Sequence, residues 1–415
     1  MKEGETREEL LAKVKNIHDY ADVLRSYMGT SYINEWSSYM GGPNYPKPIV
    51  GYNTSINRDT IKHLVDALGD ENPLYRDPKY AAKTKYGTLI APPSWPFSIV
   101  YGHYPEFAMW EYVSLYCGDT FEWYKPVADG DKIDWKTTFP TDVVEKETKT
   151  GGTTVFCHGT HEFKRHQGGM PLLKQTWTQC YIEMVGSNYN TAQSGAKVPE
   201  YTEEYIEKIH AAWDEENKNL WGGKIHYFED VTVGETLPPV VRGPFTVMES
   251  AAWIKAASQY YFCSDRLHKY IHEASGWGYY DKDLKVWLNF HENEYDCYGA
   301  MAQRTGSYVP GGFGSQRCAW ATTLLSNFAS DEGFVWKMDV RHVRKGGYFN
   351  TFWTRGTVTD KHCENGRCWV DIDIEMKDQN DVTILKGTGQ VILPSREHGM
   401  IVYPEPETPF TSFHA

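Results

Sequence analysis

One structural unit occurs twice in this chain, and that duplication constrains its fold more than any other feature of its 415 residues. Near the start of the first copy, Asn57 can cap a helix, and Ile56 and Ile61 stand where a hydrophobic staple needs them. Ile61, Leu64, Val65 and Leu68 then fall at i, i+3, i+4 and i+7, the spacing of an amphipathic helix. In the second copy Thr246 and Glu249 form a capping box, and Trp253, Ile254 and Ala257 supply the apolar face. The ends of the copies match too. Residues 152–182 and 366–393 each read as a strand, a polar turn and a second strand. In the later stretch Val370, Ile372, Ile374 and Met376 alternate with Asp371, Asp373 and Glu375, the period of a strand with one buried face.

Each half therefore predicts a helix, a loop, an apolar helix and a run of antiparallel strands. The apolar helices are expected near 94–101 and 316–328. A sheet wrapped around one central helix buries both elements, which makes the fold class α+β. The organisation that follows is an N-terminal arm at 1–47, a first domain at 48–185, a linker at 186–222, a second domain at 223–397 and a Pro-rich tail at 398–415. A net charge of −13 argues against a general nucleic-acid surface. The first twenty residues are charged and lack the apolar stretch of a secretory signal, and no run reaches the ~18–20 apolar residues of a membrane span. A soluble cytoplasmic protein with no membrane partner is the expectation. The eight cysteines are scattered, and Cys363 and Cys368, which flank a hairpin turn, are expected as reduced thiols. Fifteen Trp and 29 Tyr suggest apolar cavities or large interfaces.

Directly after the first capped helix comes Gly69-Asp70-Glu71-Asn72-Pro73-Leu74-Tyr75-Arg76-Asp77, then Ala81, Gly87 and Ile90-Ala91-Pro92-Pro93. With the later segment TFEWYKPVADGDKI at 120–133, this pattern resembles the MaoC-like hydratases and dehydratases, which include the (R)-specific enoyl-CoA hydratases. The resemblance covers about residues 48–182 well and 223–397 more weakly. It implies a double hotdog, two antiparallel sheets each wrapped around a central helix. It also implies addition or removal of water across the double bond of an acyl-CoA-type thioester. In the motif an Asp and a His form the catalytic pair, and a backbone N–H at the start of the central helix holds the thioester oxygen. No metal is implied, and no cofactor beyond the coenzyme A of the substrate. A homodimer is a further expectation.

The chemistry asks for such parts on its own account. Water is a poor nucleophile, so a carboxylate or imidazole must take its proton. Charge growing on the thioester oxygen is stabilised by helix N-terminal N–H groups in a dry pocket.

Asp70, Asn72, Pro73 and Asp77 match the motif, but Tyr75 stands where the His belongs. A free Tyr titrates near ~10 and a His near ~6.5, so Tyr75 is a hydrogen-bond or proton donor rather than a ready base. The second copy carries about thirty extra residues at roughly 260–290, rich in aromatics including Trp287, and its aligned position lacks the Asp. Just after it come His291, Glu292, Asn293 and Glu294, at the edge of the place the family's His occupies. Gly312 and Gly314 precede the second central helix, whereas the first half offers Pro92 and Pro93, which have no N–H. The candidate catalytic residues are thus Asp70, Tyr75, His291 and Glu294. The candidate substrate-binding residues are Asn72, Trp287, Gly312 and Gly314. Either one composite site forms or the first half binds only the acyl tail, and the second half is favoured for chemistry.

The aromatic insertion suggests an acyl group that is bulky or cyclic. Thioester hydrolysis on the same fold and a non-catalytic acyl-CoA-binding subunit are the competing functions. Cys157, His158 and His161 lie in an expected strand whose alternation separates the two His, which argues against a metal site there. No G-x-G-x-x-G follows a strand, and neither a P-loop nor a G-x-S-x-G occurs. The basic run Arg341-His342-Val343-Arg344-Lys345 is expected to be an exposed strand end.

Overall fold

The computed structural model describes residues 7–33, 53–100, 112–149, 152–183, 198–220, 225–257, 266, 269, 279–282, 285–288, 311–410 and 413. Its helices are α1 (Arg7–Ala12), α2 (Ile17–Ser26), α3 (Arg58–Leu68), α4 (Pro73–Arg76), α5 (Pro78–Ala81), α6 (Pro96–Ile99), α7 (Glu203–Leu220), α8 (Val247–Ala256) and α9 (Gly314–Ala329). Its strands are β1 (Ser31–Ile33), β2 (Tyr112–Trp123), β3 (Ile133–Thr148), β4 (Gly152–Arg165), β5 (Pro171–Glu183), β6 (Val240–Arg242), β7 (Tyr279–Asp281), β8 (Val286–Leu288), β9 (Phe334–His342), β10 (Phe352–Glu364), β11 (Arg367–Lys377) and β12 (Thr383–Leu393). No described helix is long and apolar enough to cross a membrane.

Ten strands form one antiparallel sheet in the order β1-β3-β4-β5-β2-β9-β12-β11-β10-β6. The two halves of that order mirror each other about the β2–β9 pair, as a duplicated unit requires. The capped helices form as predicted. Asn57 and Thr60 close a capping box on α3, and Thr246 and Glu249 close one on α8. These two helices pack against each other, so the equivalent elements of the two copies meet. Along β11 the alternation holds, with Val370, Ile372, Ile374 and Met376 all buried.

The seam is narrow and needs a glycine. Gly118 pairs with Arg341 where β2 skips a residue, and its φ is +139°. A Cβ there would lie 2.1 Å from the Val340 carbonyl oxygen. Any side chain would push the two halves apart.

Helix α9 is the core of the second half and is buried on nearly every side. A helix so enclosed cannot be amphipathic, and its Ala319 and Ala321 are small enough to fit. Its hydroxyls are satisfied locally: Thr322 donates to the Ala319 carbonyl (2.8 Å) and Ser326 to the Thr323 carbonyl (3.1 Å). Gln316 donates to the Ala67 carbonyl on α3 (3.1 Å) and the Glu249 carbonyl on α8 (3.4 Å), joining both capped helices to the core. In the first half the expected helix at 94–101 is one turn, Pro96–Ile99, among the described residues. Pro96 takes the first position of that turn, where its missing N–H costs nothing, and Val100 ends it in an extended conformation.

The segments flanking the domains are less independent than their composition predicts. Within 186–222 the helix α7 docks through Ile209, Trp213 and Glu216. Glu216 and Arg242 form a bidentate ion pair at 2.8 and 3.0 Å, each with 8% of its side chain exposed. Arg242 also donates to the Leu68 carbonyl (2.7 Å), and Asn327 donates to Glu216 (3.1 Å). One ion pair thus ties the linker helix, the edge strand, α3 and α9. The N-terminal arm lays Tyr20, Ala21 and Leu24 on the outer face of the first half, against Tyr112, Trp177 and Tyr181. The C-terminal tail touches both halves: Lys125 of the first binds Glu405 (2.6 Å), and Tyr403 packs on Phe334 of the second. Cys363 and Cys368 are disulfide-bonded rather than reduced, since the β10–β11 register sets them directly opposite each other with Cα atoms 4.0 Å apart.

Removing one partner of a buried pair leaves the other charge uncompensated. Glu216→Ala is therefore expected to lower stability in denaturant unfolding by about 3–5 kcal/mol, and the Glu216→Leu/Arg242→Met double variant to recover most of that loss.

Candidate functional site

The loop after α3 is built from caps. Gly69 ends the helix in the left-handed conformation (φ +59°), and the Asp70 amide bonds back to the Val65 carbonyl (3.0 Å). The Asn72 side chain accepts from the Leu74 amide (3.0 Å) and starts α4 with Pro73 in its first turn. The Asp77 side chain accepts from the Lys79 amide (2.8 Å) and starts α5 with Pro78. Asn-Pro and Asp-Pro thus use the same rule twice, a side-chain cap followed by a ring pre-set for the helix. Arg76 fastens the turn from outside, donating to the Asp70 carbonyl and to Asp66 (2.8 Å).

The outcome is an inward-facing pair, Asp70 and Tyr75, set against α9 of the other half. The Asp70 carboxylate accepts from the Asn72 amide (3.0 Å) and from the Thr323 hydroxyl (3.5 Å). Tyr75 and Ser326 line the same cleft, and Ser326 pulls the phenol's pKa down by less than burial raises it. Thr323 and Ser326 stand three residues apart on α9 and so share one face. Asp70 is 0% exposed. Burial pushes its carboxyl up to about 6, while the Asn72 amide and the nearby Arg242 pull it down by less. Burial and the charge of Asp70 push the Tyr75 phenol far above its ordinary range, which keeps it neutral.

A small cleft of about 50 Å³, open to solvent, lies beside Tyr75. Its walls come from both halves: Tyr75, Ile90, Trp95 and Trp123 from the first, Ser326 and Phe334 from the second. Tyr75 lines the cleft, whereas Asp70 is fully buried and is not among its lining residues. The Ala91 amide is already used by the Val127 carbonyl (2.8 Å), and the Pro93 carbonyl takes the Trp123 indole N–H (2.9 Å).

The other sequence candidates fall elsewhere. Gly312 and Gly314 do stand at the N-terminal end of α9, with Gly312 against Phe245. Nine residues separate Gly314 from Thr323, about 14 Å along a helix, so these glycines and Asp70 lie at different places on α9. Trp287 sits on the small β7–β8 hairpin with its ring 5.4 Å from Tyr280, away from the cleft's lining. His291 and Glu294 lie outside the described residues.

Sequence reasoning missed Thr323, Ser326, Arg242 and Glu216. Thr323 and Ser326 carried no distinguishing signal, because the same helix also bears Ser315, Gln316, Arg317, Thr322 and Asn327. It also missed a second buried polar cluster, where the Asp119 carboxyl receives the Tyr116 hydroxyl and Gln175 (3.1 Å) and burial pushes it up to about 8. Nearby, Cys318 Sγ lies 3.6 Å from His342 Nε2, and burial pushes His342 down to about 3. His342 is thus the inner end of a basic run whose Val343 and Arg344 are exposed, as expected of a strand end.

A family model described as the FAS1-like dehydratase domain region matches residues 48–170. A UPF0336 protein of Thermobifida fusca is 30% identical over 128 residues, which is 29% of this chain and 72% of that one. Among solved structures, one titled MaoC-like dehydratase aligns with a TM-score of 0.55 at 12% identity, covering 89% of this chain and 99% of its own. A Mycobacterium tuberculosis protein described as having a double hotdog fold aligns with a TM-score of 0.51 at 10% identity, covering 88% and 96%. These structural likenesses bear on the fold.

A carboxyl lifted by burial costs stability once it ionises. Its folded value (about 6) lies above its ordinary 3.8, so stability is fully present below about 4 and lost as pH rises through about 6. Asp70→Asn is therefore expected to unfold later than the parent at pH 8, by up to roughly 3 kcal/mol. The gain should vanish at pH 4, as followed by denaturant unfolding at both pH values.

Proposed function

The chain belongs to the MaoC-like hotdog family, and from that premise we propose that it is a hydratase or dehydratase of an enoyl- or 3-hydroxyacyl-CoA-type thioester. On this reading the two mirrored halves are a double hotdog. The observation that carries the proposal is that one short loop holds both the buried Asp70, with its carboxyl lifted to about 6, and Tyr75, which lines an apolar cleft made by both halves. A carboxyl tuned towards neutrality can both take and return a proton at working pH.

In the dehydration direction a proton leaves the α-carbon and the β-hydroxyl leaves as water. The Tyr75 oxygen takes the α-proton while its own proton passes to the Asp70 carboxylate, so the phenol ends neutral. Asp70 then holds the proton that the departing hydroxyl needs, and the same path returns it. The acyl chain lies against Trp95, Trp123 and Phe334, walls suited to a bulky or cyclic group. His291 and Glu294 are the sequence candidates for a second acid or base.

A second reading, an acyl-binding half without chemistry, is favoured by the complete burial of Asp70. The experiment that separates the two follows the enoyl-thioester absorbance of short, long and cyclic 2-enoyl-CoAs with purified protein. Loss of absorbance with the CoA still attached supports the hydratase. Release of a free thiol would instead mark a thioesterase. Binding without turnover of any substrate would establish the second reading.

For the hydratase, Asp70→Asn and Tyr75→Phe are each expected to lower kcat/KM by about 10²–10⁴-fold. The relay predicts that the two losses are similar, whereas a Tyr75 that is only a wall would leave Tyr75→Phe active. His291→Ala tests the second group. Because the relay needs Asp70 ionised at its start, dehydration is expected to rise with pH through about 6.

A further inference from the structure

We propose that Cys363, Cys368 and His398 form a binding site for a soft divalent metal of the zinc class, which opens when the Cys363–Cys368 disulfide is reduced. The two cysteines come from facing positions of β10 and β11, and His398 comes from a separate turn after β12. One ligand atom from each lies within 4.8 Å of the other two. Zinc held at ~2.3 Å by sulfur and ~2.0–2.1 Å by nitrogen fits a cluster of that size, once the two sulfurs are no longer bonded to each other. Two thiolates and an imidazole are the donors that select such metals over magnesium or calcium.

The turn that carries His398 is already set. Ser395 and Gly399 exchange backbone hydrogen bonds at 2.9 and 2.8 Å, and the His398 amide donates to Ser395 Oγ (3.0 Å). Ser395 Oγ in turn donates to Glu229 (2.5 Å). The ligand therefore arrives on an ordered turn and costs little to fix in place. Cys368 is buried, while Cys363 and His398 are exposed, so the fourth position faces water.

Opening the site is a balanced exchange. Two equivalents of an external thiol give two electrons and two protons to the disulfide, and leave as their own disulfide. The metal then displaces one proton from each cysteine thiol. The site is joined to the cleft through the tail. Arg367, next to Cys368, donates to the Val402 and Tyr403 carbonyls (3.0 and 3.2 Å), and Tyr403 packs on the cleft residue Phe334 with ring centroids 5.0 Å apart. A metal bridging the hairpin to His398 would fix the start of the tail that borders the cleft.

The test titrates cobalt(II) into the full chain after reduction with dithiothreitol and anaerobic desalting, beside the oxidised chain. The reduced chain is expected to show a thiolate-to-cobalt charge-transfer band that saturates at one metal per chain, and the oxidised chain none. Cys363→Ser should abolish the band. His398→Ala should move the titration midpoint at least about tenfold to higher cobalt, the lower end of what even ligand-orienting groups are worth. Both side chains are exposed, so neither change disturbs the core. Absence of the band in the reduced parent, its survival in Cys363→Ser, or an unmoved midpoint in His398→Ala would each overturn the site.

Discussion

Everything in this molecule depends on the pairing of β2 with β9. That seam turns two five-strand arrangements into one ten-stranded sheet. It is also what holds the loop of the first half against the central helix of the second. Gly118 makes the approach possible, because the space a Cβ would occupy is taken by the Val340 carbonyl. Once the seam is formed, α9 serves both halves. It fills the core of one and presents Thr323 and Ser326 to the Asp70 and Tyr75 of the other.

The site is accordingly a property of the pair of halves. Asp70 draws its elevated carboxyl from burial that neither half supplies alone, since Thr323 covers it from across the molecule. Arg242 moderates that elevation at a distance, and is itself kept neutralised by Glu216 from the linker helix. The linker is therefore part of the electrostatics of the site as well as the connection between the domains.

Local signals in the sequence were legible where the physics is local. The caps at Asn57 and Thr246, the alternation in β11 and the extent of α9 follow from spacing within a dozen residues. Asp70, Asn72 and Tyr75 could be placed together because one short loop carries all three. Thr323 lies more than two hundred residues from Asp70, and in sequence its hydroxyl looks like any that bonds back within its own helix. The Glu216–Arg242 pair was equally hidden, because a charged residue in a polar linker is ordinarily solvated. The disulfide escaped although its two cysteines were placed across one hairpin turn, because their direct opposition follows only from the exact register of β10 and β11.

The mirrored strand order has a consequence for how such a molecule can change. In a symmetric homodimer every substitution is made twice, so a carboxylate lost from one loop is lost from both. Here the two loops are encoded separately. One keeps Asp70 in a nine-residue stretch, Gly69–Asp77, and the other has spent its corresponding stretch on about thirty additional residues rich in aromatics. Covalent tandem linkage has released the copies from identity, and each is free to drift toward a different share of one task.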